Sequence, residues 1–434
     1  MNNARKISTE PYKGVRDFYP EDMAIQNYIF SIMKKISESF GYSEYNASVL
    51  ENADLYRAKS GEEIVNEQTY TFKDKGDRDV SLRPEMTPTV ARMIAAKTRE
   101  LPLPLRWYSI PNLFRYEKPQ KGRLREHWQL NVDIFGVKSI DAEVELLQMA
   151  SSIMRAFGVK DSNFEIRINN RKIINYILNE LFQLSEESAH KVSRLLDKKE
   201  KVEAKDFEEG LRENLQDKTK EFLTLMNSKN FDEFVFGLPK SAQAHEGILE
   251  IKEVTEKLEK LGVTNVVFTQ TLMRGFDYYT GLVFEVFDTK PENRRSVFGG
   301  GRYDDLMDIF DREKVPAVGF GMGDVVIKDM LETYGLLPMT KSPADLYVCV
   351  ANKDARGYAE DLAQKLREKG LRVTIDLTNK KIGDQIKCAD KNKIKKIVCI
   401  GQDEVKTGKI KVKNLLSGEE KEATEDTIID LVNE

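Results

Sequence analysis

Between residues 21 and 40 apolar side chains return at helical spacing: Ile25, Tyr28, Ile29, Ile32, Met33 and Ile36 share one face, and Gly41 ends the run. This period predicts an amphipathic helix over 21–40. The pattern then shortens. Residues 69–72 and 80–83 read as brief strands, a helix is predicted from about Thr87, and 105–110 reads as another strand. A polar, basic loop follows, and 128–136 alternates, which predicts an antiparallel hairpin with a long loop. The alternation points Gln129, Asn131 and Asp133 to one face. Polar side chains in that arrangement are odd for a core and natural for the floor of a site.

Residues 162–247 are heavily charged with weaker apolar periodicity, and are expected to form an inserted helical subdomain. Strands resume at 266–268 and continue through the glycine-rich run 298–304, and 316–323 feeds a further helix. Residues 336–343 contain Pro338 and Pro343 and predict a linker. Beyond it, strands at 345–350, 372–377 and 396–400 interleave with helices at 355–368 and 382–392. Such alternation predicts a separate α/β domain over 344–434. The fold class is therefore α/β overall, with an α+β first domain over 1–335.

Composition narrows the class without choosing a function. The chain has 434 residues, 40% hydrophobic and 32% charged, which suits an ordinary globular protein of several units. No apolar run approaches the ~18 residues of a membrane span. The first residues lack the apolar core of a signal peptide, so a cytoplasmic protein is expected. A net charge of −4 does not advertise nucleic-acid binding, but two local basic stretches stand out, 115–125 and 380–396. Cys349, Cys388 and Cys399 fit neither a zinc site nor an even disulfide framework and are expected to be buried reduced thiols. His127, His190 and His245 build neither a triad nor a metal cluster, and no metal ligands are expected.

The chemistry concentrates in a few segments. Residues 272–281, LMRGFDYYTG, place Arg274, Tyr278 and Tyr279 close together. Glu85 and Thr87 come from LRPEMTP, Arg115 and Glu117 from FRYEKPQKGR, and Gly321 and Gly323 from AVGFGMGD. Carboxylates with a hydroxyl suit an ammonium group, arginines suit carboxylate and phosphate, and glycines allow close approach. A site wanting both charge signs at close quarters suits an amino acid together with a nucleotide.

Taken in order, these segments resemble the class II histidyl-tRNA synthetases over nearly the whole chain. KGVRDFYP at 13–20 resembles that family's start, 82–87 its amino-acid-binding turn, 114–136 its motif 2 and AVGFGMGD its motif 3. MRGFDYYTG and GGGRYDDL resemble its two histidine-specific signatures, and the C-terminal domain resembles an anticodon-binding domain. The resemblance implies a class II antiparallel sheet flanked by helices. It implies a ligase that activates histidine with ATP and Mg2+ to histidyl-adenylate, then charges tRNA(His), working as a homodimer.

The implied roles follow residue by residue. Arg115 clamps the α-phosphate and Arg274 stabilises its developing charge. Glu85, Thr87 and Gln129 hold the α-ammonium, while Asp133, Tyr278 and Tyr279 complete the histidine pocket. Glu117 contacts adenine, and Gly321 and Gly323 join Arg115 in binding ATP; where Val326 replaces the motif 3 arginine, Arg123 or Arg302 is expected to supply the pyrophosphate contact instead. Lys118, Gln120, Arg123 and Arg125 meet the tRNA acceptor end; Arg372, Lys380, Lys381 and Lys387 meet the anticodon side.

Three positions depart from the family pattern: Asp133 stands for a longer Glu, Ser48 for a proline, and Val326 for the ATP-binding arginine of motif 3. Lys328 lies about 200° further around the helix and is a poor substitute. Loss of that arginine leaves one alternative, a silent paralogue serving as the regulatory subunit of ATP phosphoribosyltransferase. The presence of Arg274 and of a C-terminal α/β domain argues against it.

Overall fold

The computed structural model describes residues 7–58, 68–120, 122–199, 202–273, 278–290, 296–339 and 342–433. The chain divides into two compact units, Met1–Pro338 and Met339–Glu434.

The first unit is built on one long sheet. Its strands run in the order Ser43–Glu44, Leu105–Ser109, Glu126–Phe135, Ala317–Gly323, Ser296–Arg302, Leu282–Asp288, Phe164–Asn170 and Val266–Phe268. Ser43–Glu44 and Val266–Phe268, at the two ends, pair parallel with their neighbours, and the strands between pair antiparallel. Alternation decides which face is which. Leu130, Val132 and Ile134, with Val318, Phe320 and Met322, pack into the large core behind the sheet. There they meet Ile29 and Met33 of helix Pro20–Ser39 and Leu146, Met149 and Ile153 of helix Asp141–Ala156. The intervening residues turn to the other face, toward helix Thr87–Lys97, where Val90, Ala91 and Ile94 cluster with Tyr278, Tyr279 and Tyr303.

At the centre of the sheet, positions 300 and 301 of strand Ser296–Arg302 have no room for a side chain. Gly299, Gly300 and Gly301 lie opposite Gly321, Phe320 and Gly319. A Cβ on Gly300 would run into the Gly319 carbonyl, with Phe320 Cα at 2.6 Å. The two backbones therefore approach more closely than side chains allow.

One predicted boundary is corrected. Residues 162–247 are not helical throughout, because Phe164–Asn170 is an interior strand of the large sheet. Its period of two is legible afterwards: Phe164, Ile166 and Ile168 are buried while Glu165 and Arg167 are half-exposed. Helices take over at Arg171 and include Glu186–Lys198, Ala204–Leu215, Thr219–Met226 and Phe231–Gly237. Val192, Leu211, Phe222 and Phe234 from these helices join the same core.

The second unit has the sheet order Val373–Ile375, Leu346–Val350, Lys396–Ile400, Ile410–Asn414, Glu420–Ala423. The first three strands are parallel, as the β–α alternation predicts. The last two form an antiparallel extension that the sequence reading did not resolve. Leu346 and Val348 face Ala359, Leu362 and Leu366 of helix Arg356–Glu368, while Tyr347 and Cys349 face Ala389 of helix Ile382–Lys391. The sheet is thus covered on both faces. Its cysteines are free thiols, but only Cys349 is buried and Cys388 is exposed, which corrects the expectation of three buried thiols.

Candidate active site

Strand Glu126–Phe135 supplies the floor of a cleft on the sheet face opposite the large core. Gln129, Asn131 and Asp133 all line it, as their alternation requires. Neighbouring strands contribute glycines where these side chains need room. Gly319 lies opposite Asp133, and a Cβ there would collide with the aspartate carboxylate. A Cβ on Gly321 would stand 2.7 Å from Gln129 Cδ. Gly323 lies opposite Gln129, with open space where its side chain would be.

Asp133 is 4% exposed, and Tyr303 Oη donates to its Oδ1 at 2.5 Å. Burial pushes its carboxyl up to about 7, against the opposing pull of the tyrosine hydrogen bond. The aspartate thus sits between its two protonation states near neutrality, held in one orientation by a phenol. Tyr303 was missed by the sequence reading. Its signal was the alternation Gly299, Gly301, Tyr303, which continues the pocket face of strand Ser296–Arg302.

The same alternation corrects the expectation for Arg302. It faces the back of the sheet and is 5% exposed. Its Nε and Nη2 donate to Glu143 of helix Asp141–Ala156 at 2.5 and 2.6 Å. Nη1 reaches the Val137 carbonyl at 2.9 Å and Nη2 the Ser139 carbonyl at 3.2 Å. A guanidinium so committed ties helix to sheet and does not bind ATP.

The other wall comes from the turn before helix Thr87–Lys97. Buried Arg83 locks this turn by donating to the carbonyls of Asn112 at 2.9 Å and Ala47 at 2.7 Å. Glu85 is 3% exposed and accepts from Tyr278 Oη at 3.3 Å, and Thr87 opens the helix beside it. Arg115 Nε donates to the Pro84 carbonyl at 2.9 Å, which brings the basic hairpin against the turn. Tyr278 and Tyr279 are buried with ring centroids 4.9 Å apart. Arg274 lies outside the described residues.

On the hairpin, Glu117 faces Arg123, whose Nε stands 3.6 Å from Oε2. Lys118, Gln120 and Arg123 are exposed. Arg125 is not, which corrects its assignment to a tRNA contact. Its guanidinium stacks 4.0 Å from the Tyr116 ring centroid and donates to Tyr12 Oη at 3.0 Å and the Glu117 carbonyl at 3.2 Å. It clamps the hairpin to the N-terminal segment. His127 is half-buried, and burial together with the guanidinium groups of Arg115 and Arg16 pushes its basicity down to about 3. It is a neutral packing residue at physiological pH.

In the second unit Arg372 is paired with Asp345 at 2.5 Å and also donates to the Ser342 carbonyl at 2.9 Å. Lys380, Lys381 and Lys387 are exposed, the last 3.6 Å from Asp384. Among the described residues no group of His, Cys, Asp or Glu side chains is placed to hold a metal ion. No helix of the described residues is long and apolar enough to cross a membrane.

Chemically, the cleft offers two buried carboxylates, each with a phenol partner, a guanidinium at the turn, and glycines that let a ligand lie against backbone. Residues 14–323 match the family model for histidyl-tRNA synthetase, and 345–434 match that for an anticodon-binding domain. A histidine–tRNA ligase of Leptospira biflexa is 43% identical over 419 residues, covering 95% of this chain and 94% of the relative. The chloroplastic/mitochondrial histidine–tRNA ligase of Arabidopsis thaliana is 35% identical, covering 96% and 85% respectively. A crystal structure of the histidyl-tRNA synthetase of Nostoc sp. PCC 7120 superposes with a TM-score of 0.82 at 24% identity, covering 99% of each chain, which speaks to fold. The chain belongs to the histidyl-tRNA synthetase family, the class II ligases that join histidine to tRNA.

Proposed function

We propose a division of labour within this ligase in which the two buried carboxylates read the two ends of histidine. Glu85, with Thr87 and Gln129, takes the α-ammonium. Asp133, oriented by Tyr303 and flanked by Tyr279, takes an imidazole N–H. The observation that carries this reading is the pair of phenol–carboxylate contacts, Tyr278–Glu85 and Tyr303–Asp133, within one cleft. Such a site rejects apolar isosteres, because they would leave its buried polar groups unpaired.

Arg115 holds the substrate carboxylate against the α-phosphate of ATP. The carboxylate oxygen attacks the α-phosphorus, the bridging P–O bond to the β-phosphate breaks, and pyrophosphate leaves. A terminal ribose hydroxyl of tRNA then attacks the acyl carbon, and AMP leaves. Charge builds on phosphate oxygens in the first step, so fixed cations and positioning carry the rate, with Arg115 and Arg274 in that role. Mg2+ comes with ATP as part of the substrate, held by phosphate oxygens and water. Glu117 meets adenine. Lys118, Gln120 and Arg123 meet the acceptor end, while Lys380, Lys381 and Lys387 meet the anticodon side. The enzyme works as a cytoplasmic homodimer.

Histidine-dependent ATP–pyrophosphate exchange tests the reading: exchange should require histidine and fall by about a hundredfold or more in Glu85→Gln and Asp133→Asn. Exchange supported equally by other amino acids would defeat it. The regulatory paralogue is not better supported. A Bacillus halodurans structure whose name joins that subunit with histidyl-tRNA synthetase superposes with a TM-score of 0.75, but at 24% identity this reports the shared fold.

A further inference from the structure

Tyr45 Oη and Ser109 Oγ are buried, and neither has a hydrogen-bond partner. Hydroxyls left so are rare, because each forfeits the hydrogen bonds it had with water. Both belong to the sheet face that carries the cleft. Ser109 ends strand Leu105–Ser109 opposite Asn131, and Trp107 of the same strand lies opposite Asp133. Tyr45 directly follows strand Ser43–Glu44. Its N–H donates to the Tyr108 carbonyl at 2.8 Å, and its ring centroid lies 5.5 Å from that of Trp107. Tyr45 and Trp107 pack against the cluster that contains Val90, Tyr278 and Tyr303. Tyr108, between Trp107 and Ser109, turns the other way and donates to Glu38 of helix Pro20–Ser39 at 2.9 Å.

Neither residue lines the cleft; both stand beside Asp133, on the flank that Tyr303 leaves. Asp133 Oδ1 takes the Tyr303 hydroxyl and is turned toward Gly319 of strand Ala317–Gly323. Strand Leu105–Ser109 pairs along the opposite edge of Glu126–Phe135. From that edge Tyr45 comes under the influence of the carboxylate. Burial pushes its phenol well above the usual range, and the charge of Asp133 adds to the push. The neighbouring Ser109 hydroxyl and the Arg83 guanidinium pull it back. The two hydroxyls are thus neighbours of each other and of Asp133, yet Tyr45 Oη bonds directly to neither.

We propose that Tyr45 and Ser109 hold a water molecule against the flank of the Asp133 carboxylate opposite Tyr303, and that Tyr45 is thereby a positioning residue of the histidine pocket. Such a water has three polar partners, within the two to four that hold buried water in place. It accepts from both hydroxyls and donates to Asp133 Oδ2. A carboxylate oxygen carries two lone pairs, so Oδ2 still accepts from a ligand. The carboxylate is then held from both sides, by Tyr303 on Oδ1 and by the water on Oδ2, and its plane is fixed before histidine arrives. Tyr45 and Ser109 touch no substrate and act through Asp133. The proposal rests on the reading of Asp133 as the group that takes the imidazole.

Two measurements on the full-length protein test it. A crystal structure at a resolution that places waters should show one within about 3.2 Å of Tyr45 Oη, Ser109 Oγ and an Asp133 oxygen. No water there, or a direct bond from Tyr45 to Ser109 or Asp133, would overturn the proposal. In pyrophosphate exchange, Tyr45→Phe and Ser109→Ala should each raise KM for histidine by about three- to tenfold, while kcat and KM for ATP stay within about twofold. The double variant should be no worse than the worse single one, since either loss releases the same water. Effects that multiply in the double variant, or a KM for ATP that rises with that for histidine, would mean packing defects and overturn the proposal. So would an unchanged KM for histidine in either single variant. If one variant does not fold, the other decides by the same split. Wild-type exchange that requires histidine establishes the underlying reading. Its absence would defeat that reading and with it the role of Tyr45, while the water itself is judged by the crystal structure alone.

Discussion

Asp133 shows most directly how a residue's surroundings set its chemistry. A carboxyl raised to about 7 binds its proton more tightly in the folded chain than in the unfolded one. Its contribution to stability is therefore full below the ordinary carboxylate range and is lost as pH rises through about 7. Asp133→Asn, which keeps an oxygen to accept from Tyr303, should melt at a higher temperature than wild type at pH 8 without histidine. The two should converge at pH 4, and calorimetry at both values checks this. In the proposed reading the ionised form accepts the imidazole N–H, so KM for histidine should rise as pH falls from 8 to 6. A flat profile would mean that the aspartate binds histidine in its protonated form. The shorter acid at this position keeps the charge, and Tyr303 fixes its direction. The two glycine-cleared positions explain why alternation located Gln129 and Asp133 from sequence. Arg302 was expected to bind ATP only because position 326 lacks its arginine, and alternation along strand Ser296–Arg302 turns it to the back of the sheet.

At the scale of elements, the three-glycine strand and the hairpin do the positioning. Gly300→Ala must push strands Ser296–Arg302 and Ala317–Gly323 apart, because both obstructing groups are backbone. Loss of several kcal/mol, about 3 or more, or failure to fold is expected in urea melts. Arg302→Met should also destabilise, by about 3–5 kcal/mol, because Glu143 is left buried and unpaired. KM for ATP should be unchanged in the protein that folds, which separates this structural arginine from a nucleotide-binding one. Most elements were legible because apolar period and element type agree, as in helix Pro20–Ser39 and strand Glu126–Phe135. Strand Phe164–Asn170 was not, since its two charged residues share the composition of the helices that follow. The antiparallel pair Ile410–Asn414 and Glu420–Ala423 hid for a similar reason: Lys411, Lys413, Glu420 and Glu422 make the pair read as charged surface.

The whole molecule joins a site on a closed core to a second unit with its own core. In the proposed reading activation belongs to the first unit and tRNA contacts to both. Replacing Lys380, Lys381 and Lys387 together by alanine should raise KM for tRNA several-fold in aminoacylation, since each phosphate contact adds to affinity. Pyrophosphate exchange should be untouched. The most direct test of the account is exchange itself, run with histidine, with each of several other amino acids and with none, on wild type and Asp133→Asn. The account predicts exchange that only histidine supports and that falls by about a hundredfold in the variant. A folded wild-type protein that exchanges no pyrophosphate with histidine, or an Asp133→Asn variant with undiminished histidine-dependent exchange, would contradict it.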